Sequence, residues 1–209
     1  WSRRRQRQMC IRDSIYSLFS RSSGISTDTR TIKSKNLFFC LKGKNFNGNL
    51  FIDQAISLGA SFVIYDEEKL NHKSKRAFKV KNALETLQAL AKHHRSKFNI
   101  PVIGLTGSNG KTTSKELINS VLSQKFNVTY TANNFNNHIG VPLTILKINT
   151  KTDIAIIEMG ANQLGEIDLL CNIADPTIGY ITNFGKAHLE GFGGLKGVIK
   201  GKSELYEYI

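Results

Sequence analysis

The segment with the clearest chemical character is GLTGSNGKTT, residues 104–113. It follows an apolar run that predicts a buried strand and precedes a predicted helix, which is the setting of a phosphate-binding loop. Gly107 and Gly110 permit backbone conformations that other residues resist. Loop N–H groups and the helix N-terminus could then face an anion. Lys111 would add a positive charge between the terminal phosphates, and the Thr112 hydroxyl would bind Mg²⁺.

The glycine spacing of this loop is a variant of the common pattern. The common pattern has its first glycine five residues before the second, a position occupied here by Leu105. Gly107 instead lies three residues before Gly110, and Gly104 lies six before it. A chance glycine-rich turn is the alternative, but Gly-Lys-Thr-Thr after a buried strand favours the phosphate loop. The predicted nucleotide-binding residues are Gly107, Ser108, Asn109, Gly110, Lys111, Thr112 and Thr113.

Glu158 and His188 follow the ends of two further predicted strands. Glu158 ends the apolar run of IIEMGAN, residues 156–162, where open α/β sheets bind ligands. It is therefore predicted to hold a Mg²⁺ ion that bridges phosphate oxygens, although a solvated strand end is the alternative. His188 lies in ITNFGKAHLEGFGG, residues 181–194. Hard cations prefer oxygen ligands, so only its convergence with Glu158 and the phosphate loop favours His188 as a site residue.

A fourth segment, TANNFNNHIGVP at residues 131–142, is rich in asparagine. Asn136 and Asn137 could hydrogen-bond a polar substrate. Asparagine also favours turns, and the two interpretations are equally supported by the residues alone.

Strands that alternate with helices surround these motifs. Residues 14–98 predict a small α/β domain, with strands at 36–41 and 61–65, a helix between them and a connecting helix at 83–98. Residues 99–209 predict a doubly wound parallel sheet. Its strands are expected at residues 102–105, 128–131, 154–158 and 178–182, with a helix from 112 to about 124. An open nucleotide-binding sheet usually has about five or six strands, so we expect this second domain to be incomplete.

The composition limits the class of protein. The chain has 209 residues, of which 40% are hydrophobic and 22% charged, as in soluble globular proteins. No apolar run approaches the ~18 residues of a membrane helix, which excludes an integral membrane protein. Three cysteines without a CxxC pair indicate neither a disulfide framework nor a zinc site and fit a reducing cytoplasm.

The net charge of +13 indicates anionic partners, but its distribution is uneven. Residues 1–13 contain five arginines and no lysine, whereas the rest of the chain contains 20 lysines and four arginines. A basic arm for nucleic acid, a targeting presequence and a foreign leader are the three interpretations, and the change in composition favours the last. The remaining lysines are dispersed, so we expect no nucleic-acid partner.

With these motifs in order, residues 14–209 resemble the Mur ligase family. These are ATP-dependent amide-forming enzymes that build the peptide of bacterial peptidoglycan precursors. Residues 25–60 are similar to the family's uridine-nucleotide substrate domain. NNHIGVPLTIL and EMGANQLGEI favour the member that joins D-Ala-D-Ala to UDP-N-acetylmuramoyl-tripeptide through an acyl phosphate, with release of ADP. The resemblance implies a cytoplasmic bacterial monomer. The chain would be an N-terminal fragment, which we expect to be inactive alone.

The resemblance also implies roles for the site residues. Lys111, His188 and Lys202 would be catalytic. Thr112 and Glu158 would bind one Mg²⁺, and Glu158 and His188 would share a second. Lys202 would be carbamylated and so become an anionic metal ligand, with Lys200 as the second choice and a solvated surface lysine as the alternative.

The same resemblance implies a precursor site in the first domain. Thr27, Asp28 and Arg30 match the family pattern, and Arg30 is either an anion contact or part of an internal ion pair. Asn47, Gly48 and Asn49 stand where relatives often have Asp-Gly-His. A Mur-type ligase with a different amino-acid acceptor, and a binding fragment without activity, are the alternative functions.

Overall fold

The computed structural model describes residues 14–209. These residues divide into two compact units, with the division between Leu90 and Ala91. The boundary expected at residues 98 and 99 stays a prediction, and the foreign leader expected at residues 1–13 lies outside the described residues. No helix within residues 14–209 combines the length and the apolar character needed to cross a bilayer.

The first unit contains a four-stranded parallel sheet. Helix α1 covers residues 14–20. The sheet has the order β1-β2-β5-β6, formed by β1 (Ile25–Ser26), β2 (Leu37–Phe39), β5 (Phe62–Tyr65) and β6 (Ala77–Lys79). A hairpin of β3 (Lys42–Gly43) and β4 (Phe46–Asn47), a short 3-10 turn and helix α2 (Ile52–Ser57) connect β2 to β5. The predicted strand–helix–strand unit is therefore confirmed. The hairpin and the two outer strands, β1 and β6, are additions that the residues did not predict.

The core of this unit explains why these segments form. All three residues of β2 are buried, as are three of the four in β5. Ile52 and Ala55 of helix α2 pack in the same hydrophobic cluster as Phe38, Val63 and Tyr65. Strands covered on both faces read as continuous apolar runs, which is why both could be predicted from sequence.

The second unit is built on another parallel sheet, of order β10-β7-β9-β8. Helix α3 (Ala83–Arg95) crosses the division between the units and precedes this sheet. The elements are β7 (Val102–Thr106), α4 (Lys111–Leu122), β8 (Val128–Tyr130), α5 (Gly140–Ile145), β9 (Ile154–Glu158), α6 (Glu166–Ala174), β10 (Ile178–Ile181), α7 (Leu189–Phe192) and α8 (Leu195–Tyr208). The predicted parallel α/β class and all four predicted strands of this sheet are confirmed.

Strand order places the functional segments at one edge of the sheet. The carboxyl ends of parallel strands meet at the same edge, where open α/β sheets bind ligands. β7 and β9 are neighbours, with Leu105 opposite Glu158, and β10 lies on the other side of β7 with Thr106 opposite Ile181. The phosphate loop, Glu158 and the segment after β10 therefore all lie at this edge of the sheet.

Arg95 connects the end of helix α3 to the loop before β10 through hydrogen bonds. The side chain is 5% exposed, and burial lowers its pKa. Its guanidinium donates to the carbonyl oxygens of Ala174 at 3.0 Å, Phe98 at 2.6 Å and Asp175 at 3.0 Å. One planar cation thus satisfies backbone acceptors from two segments that lie far apart in the sequence.

We expect Arg95→Ala to lower the free energy of unfolding by about 3 kcal/mol, because buried carbonyls lose charge-assisted hydrogen bonds. Urea unfolding of the 209-residue chain measures this. Lys92→Ala, an exposed position on the same helix, is the control and should change stability by less than about 0.5 kcal/mol. Equal unfolding midpoints for the two variants would contradict a stabilising role for the Arg95 hydrogen bonds.

Candidate active site

The backbone of the phosphate loop depends on its glycines. Gly107 has φ +140° and Gly110 has φ +76°, conformations that side chains disfavour. A Cβ added at Gly107 would also collide with Thr182 Oγ1. Helix α4 begins directly after Gly110, and its first-turn N–H groups have no acceptor within the helix. The loop therefore has the features of an anion-binding helix N-terminus.

The side chains of the loop surround this N-terminus. Ser108 is half-buried, whereas Asn109, Thr112 and Thr113 are exposed. Lys111 Nζ donates to the carbonyl oxygens of Gly107 at 2.8 Å and Ser108 at 3.3 Å. Burial lowers the pKa of Lys111, and the charge of Glu158 opposes that shift. A cation thus lies over the loop, within reach of any anion held by its N–H groups.

Glu158 lies at the end of β9 and is 1% exposed. Its carboxylate accepts hydrogen bonds from Thr112 Oγ1 at 3.2 Å and from Asn136 Nδ2 at 2.8 Å. Its backbone N–H donates to Thr131 Oγ1 at 3.0 Å. The Thr112 hydroxyl and the Glu158 carboxylate are oxygen donors of the kind that Mg²⁺ prefers, and they meet beside the phosphate loop. The residues present therefore fit a magnesium ion.

Lys115 is a site residue that the sequence reasoning missed. Its side chain is fully buried, with Nζ 3.8 Å from Glu158 Oε2 and 3.0 Å from Glu116 Oε1. The amine also donates to the Asn133 carbonyl at 3.3 Å. Its spacing could have identified it, because Lys115 follows Lys111 by four residues and so shares a helix face with it. Its charge offsets that of the buried Glu158 carboxylate.

Lys202 lies on helix α8 and is 2% exposed, whereas Lys200 is exposed. Lys202 Nζ donates to the Ala161 carbonyl at 3.1 Å and lies 5.2 Å from the centre of the Phe192 ring. Burial first, and the positive charge of Lys111 second, lower the pKa of Lys202 to about 8. The structure thus distinguishes the two candidate lysines and places Lys202 away from solvent.

His188 is exposed and directly precedes helix α7, with left-handed backbone angles of φ 54° and ψ 37°. Among residues 14–209, no hydrogen bond or ion pair joins His188 to Glu158, and no group of three or more His, Cys, Asp or Glu side chains is arranged to hold a metal. A shared metal ion at Glu158 and His188 stays a prediction.

Asn136 and Asn137 take different roles although they are adjacent. Asn136 donates to Glu158, and its carbonyl accepts from the Gly160 N–H at 2.7 Å. The Asn137 side chain accepts from the N–H groups of Ile139 at 3.0 Å and Gly140 at 2.9 Å. Asn136 therefore orients the acidic residue, whereas Asn137 forms the turn that starts α5.

In the first unit, Arg30 pairs with Asp28. Arg30 Nε donates to both oxygens of Asp28 at 3.0 Å, and the hydrogen bond from Arg30 lowers the pKa of Asp28. The Arg30 side chain is 87% exposed, and Thr27 beside the pair is half-buried. The structure shows the internal ion pair, with the guanidinium still open to solvent.

The asparagine side chains of the Asn47-Gly48-Asn49 segment form hydrogen bonds with the two acidic residues that follow β5. Asn49 Nδ2 donates to Asn47 Oδ1 at 2.8 Å and to Asp66 Oδ1 at 3.1 Å. Asn47 Nδ2 donates to Glu67 Oε2 at 3.3 Å. A Cβ at Gly48 would lie 2.7 Å from the Leu41 carbonyl oxygen. The two asparagines thus hold a tight turn beside two carboxylates.

Comparison with known protein families gives matches in both units of the chain. The Mur ligase middle domain matches residues 105–209, and the Mur ligase family catalytic domain matches residues 21–95. Two relatives are named UDP-N-acetylmuramoyl-tripeptide–D-alanyl-D-alanine ligase. The protein from Bacillus subtilis is 43% identical over 183 residues, which cover 87% of this chain and 40% of that protein. The protein from Synechocystis is 46% identical over 187 residues, which cover 88% of this chain and 41% of that protein.

A solved structure gives the same result. The MurF ligase from Thermotoga maritima in complex with ADP has a TM-score of 0.81 and 36% identity, covering 91% of this chain and 44% of that chain. This chain spans about 40% of the length of the curated relatives it matches. Motifs, fold and relatives agree that the chain belongs to the Mur ligase family.

Proposed function

We propose that this chain contributes the nucleotide-binding and precursor-binding residues of an ATP-dependent amide ligase. Its reaction joins D-Ala-D-Ala to UDP-N-acetylmuramoyl-tripeptide in peptidoglycan biosynthesis. The observation that carries the proposal is the meeting of Thr112, Glu158 and Lys111 at the N-terminus of helix α4. The names of the relatives and the ADP complex of the Thermotoga protein support it.

The proposed reaction has two steps. The terminal carboxylate of the precursor attacks the γ-phosphate of ATP, which forms an acyl phosphate and releases ADP. The amine of D-Ala-D-Ala then attacks the acyl carbon, and the tetrahedral intermediate expels phosphate. Positioning and charge neutralisation are the main tasks in phosphoryl transfer. Lys111 and the loop N–H groups perform both, because they hold the phosphates close to a fixed positive charge.

Mg²⁺ would neutralise the phosphate charge when bound. Thr112 and Glu158 would hold one ion, and Glu158 with His188 a second. Asn136 and Lys115 would keep the Glu158 carboxylate oriented, because each contacts one of its two oxygens. Neither residue needs to touch the nucleotide for this role.

Lys202 would be carbamylated. Its neutral amine attacks carbon dioxide, the N–C bond forms and one proton leaves, so a cation becomes an anionic oxygen ligand suited to Mg²⁺. Burial favours this step, because a depressed pKa populates the neutral amine. Lys200 is exposed and lacks this advantage.

The first unit would bind the uridine precursor through Thr27, Asp28, Arg30 and Asn47. In the second unit, Asn136 and Asn137 would hydrogen-bond a polar substrate. Arg30 keeps its guanidinium exposed, so it can contact an anion without leaving Asp28. We infer that no nucleic-acid partner is needed, because ATP and a UDP-linked precursor are sufficient anionic partners for a basic chain. We also propose a cytoplasmic monomer without membrane insertion, as the family resemblance implies.

The proposed reaction is tested with the full-length protein that carries these residues. We expect phosphate release only when ATP, UDP-N-acetylmuramoyl-tripeptide and D-Ala-D-Ala are all present. Release with a dipeptide precursor and a single amino acid, meso-diaminopimelate or lysine, would assign the chain to another member of the family. Absence of release with every acceptor would contradict ligase activity.

Lys111→Ala should weaken ADP binding to the full-length protein that carries these residues by about tenfold or more, because a charge-assisted contact to phosphate is lost. Isothermal titration calorimetry measures the dissociation constant. Lys125→Ala, at an exposed lysine after helix α4, is the matched control and should bind as the unaltered chain does. Unchanged binding in Lys111→Ala would refute the phosphate-loop assignment.

Lys202→Ala should reduce turnover of the full-length ligase by about a hundredfold, and added acetate or formate should restore part of it by replacing the carbamate. Lys200→Ala on the same helix is the control. With ¹³C-labelled carbon dioxide held constant, the carbamate signal should grow as the pH rises through about 8, because the depressed pKa of Lys202 lets its amine lose its proton there. Full turnover in Lys202→Ala, or loss of turnover in Lys200→Ala instead, would contradict Lys202 as the carbamylated residue.

A further inference from the structure

The segment after β10, residues 182–185, is bonded to the tip of the phosphate loop. Asn183 Nδ2 donates to the Asn109 carbonyl at 3.1 Å, and the Asn109 N–H donates to Asn183 Oδ1 at 3.1 Å. The Ser108 N–H donates to the Asn183 carbonyl at 3.1 Å. One asparagine therefore satisfies both polar groups of the Asn109 backbone and the N–H of Ser108.

These contacts continue the pairing of two strands. β10 and β7 are paired up to Ile181 and Thr106, and the Thr182 N–H then donates to the Thr106 carbonyl at 3.0 Å. The side-chain amide of Asn183 extends this pairing into the loop, because it presents a donor and an acceptor side by side, as a backbone does. Thr182 Oγ1 adds a further hydrogen bond to the Asn109 carbonyl at 2.6 Å.

The loop needs such support. Gly107 and Gly110 both have positive φ, and glycine loses more conformational freedom on ordering than any other residue. A Cβ at Gly110 would meet no atom within 4 Å, so no neighbouring segment packs over this position of the loop. Residues 108 and 109 are instead held by hydrogen bonds to the segment after β10: Thr182 and Gly185 supply one each, and Asn183 supplies three.

We propose that Asn183 is a positioning residue that holds the phosphate loop in its anion-binding conformation. Its contacts occupy the N–H groups of Ser108 and Asn109, which leaves the N–H groups of residues 110–113 to face the anion. Because both polar atoms of the Asn183 amide are bonded to the loop, the residue acts through the backbone and does not touch the nucleotide. This inference rests on the proposed nucleotide site.

Two variants of the full-length protein that carries these residues test it. Asn183→Ala removes both side-chain hydrogen bonds and should weaken ADP binding by about tenfold. Asn183→Asp keeps the acceptor for the Asn109 N–H, removes the donor and adds a negative charge near the phosphates, so it should weaken binding by about a hundredfold. Asn172→Ala is the control, because Asn172 also bonds a backbone carbonyl, within helix α6 and away from the loop. Urea unfolding confirms that each variant is folded.

Amide hydrogen exchange without nucleotide supplies a readout that overall stability does not move. The Asn109 N–H should exchange faster in Asn183→Ala than in the unaltered chain, and at nearly the unaltered rate in Asn183→Asp, which retains its acceptor. If Asn183→Ala binds ADP as the control does while Lys111→Ala loses binding, the inference is wrong and the nucleotide site stands. If none of the chains binds ADP, the nucleotide site fails, and unchanged exchange at Asn109 would overturn the inference as well.

Discussion

The buried carboxylate of Glu158 is the constraint on which the second unit depends. A carboxylate that is 1% exposed costs several kcal/mol unless it is paired and hydrogen-bonded. Its partners come from helix α4, through Thr112 and Lys115, and from the loop after β8, through Asn136. Satisfying one charge therefore fixes the start of α4 and the asparagine loop against the end of β9. The same contacts place oxygen ligands beside the phosphate loop, so a folding requirement and a functional one have a common solution.

The parts of the fold that could be predicted from sequence are those with local causes. β2, β5, β7 and β9 are covered on both faces and so appear as apolar runs. The phosphate loop could be predicted because its glycines and the helix N-terminus that would face an anion lie within ten residues of each other in the sequence. The hairpin of β3 and β4 has only two residues in each strand, too few for a pattern of alternation, and it was not predicted.

The remaining parts of the site depend on strand order, which the residues alone do not determine. Asn183 reaches Asn109 only because β10 lies beside β7, although 74 positions separate the two residues. Lys115 was missed for a similar reason, because it lies on helix α4 and its carboxylate partner Glu158 lies on strand β9, 43 residues further along the chain. The choice between turn and ligand roles for Asn136 and Asn137 also required tertiary contacts, since only Asn136 lies within reach of Glu158.

Two buried lysines in this unit show that burial alone does not select a residue for carbamylation. The Lys115 amine lies within ion-pair distance of Glu116 and Glu158, so two carboxylates lie beside it. The Lys202 amine contacts a carbonyl oxygen and an aromatic ring, and among the described residues it makes no ion pair. The positive charge of Lys111 further disfavours its ammonium form. Lys202 is therefore the lysine whose amine is available to react, because burial and the charge of Lys111 disfavour its ammonium form more than the charges of Glu166 and Glu204 favour it.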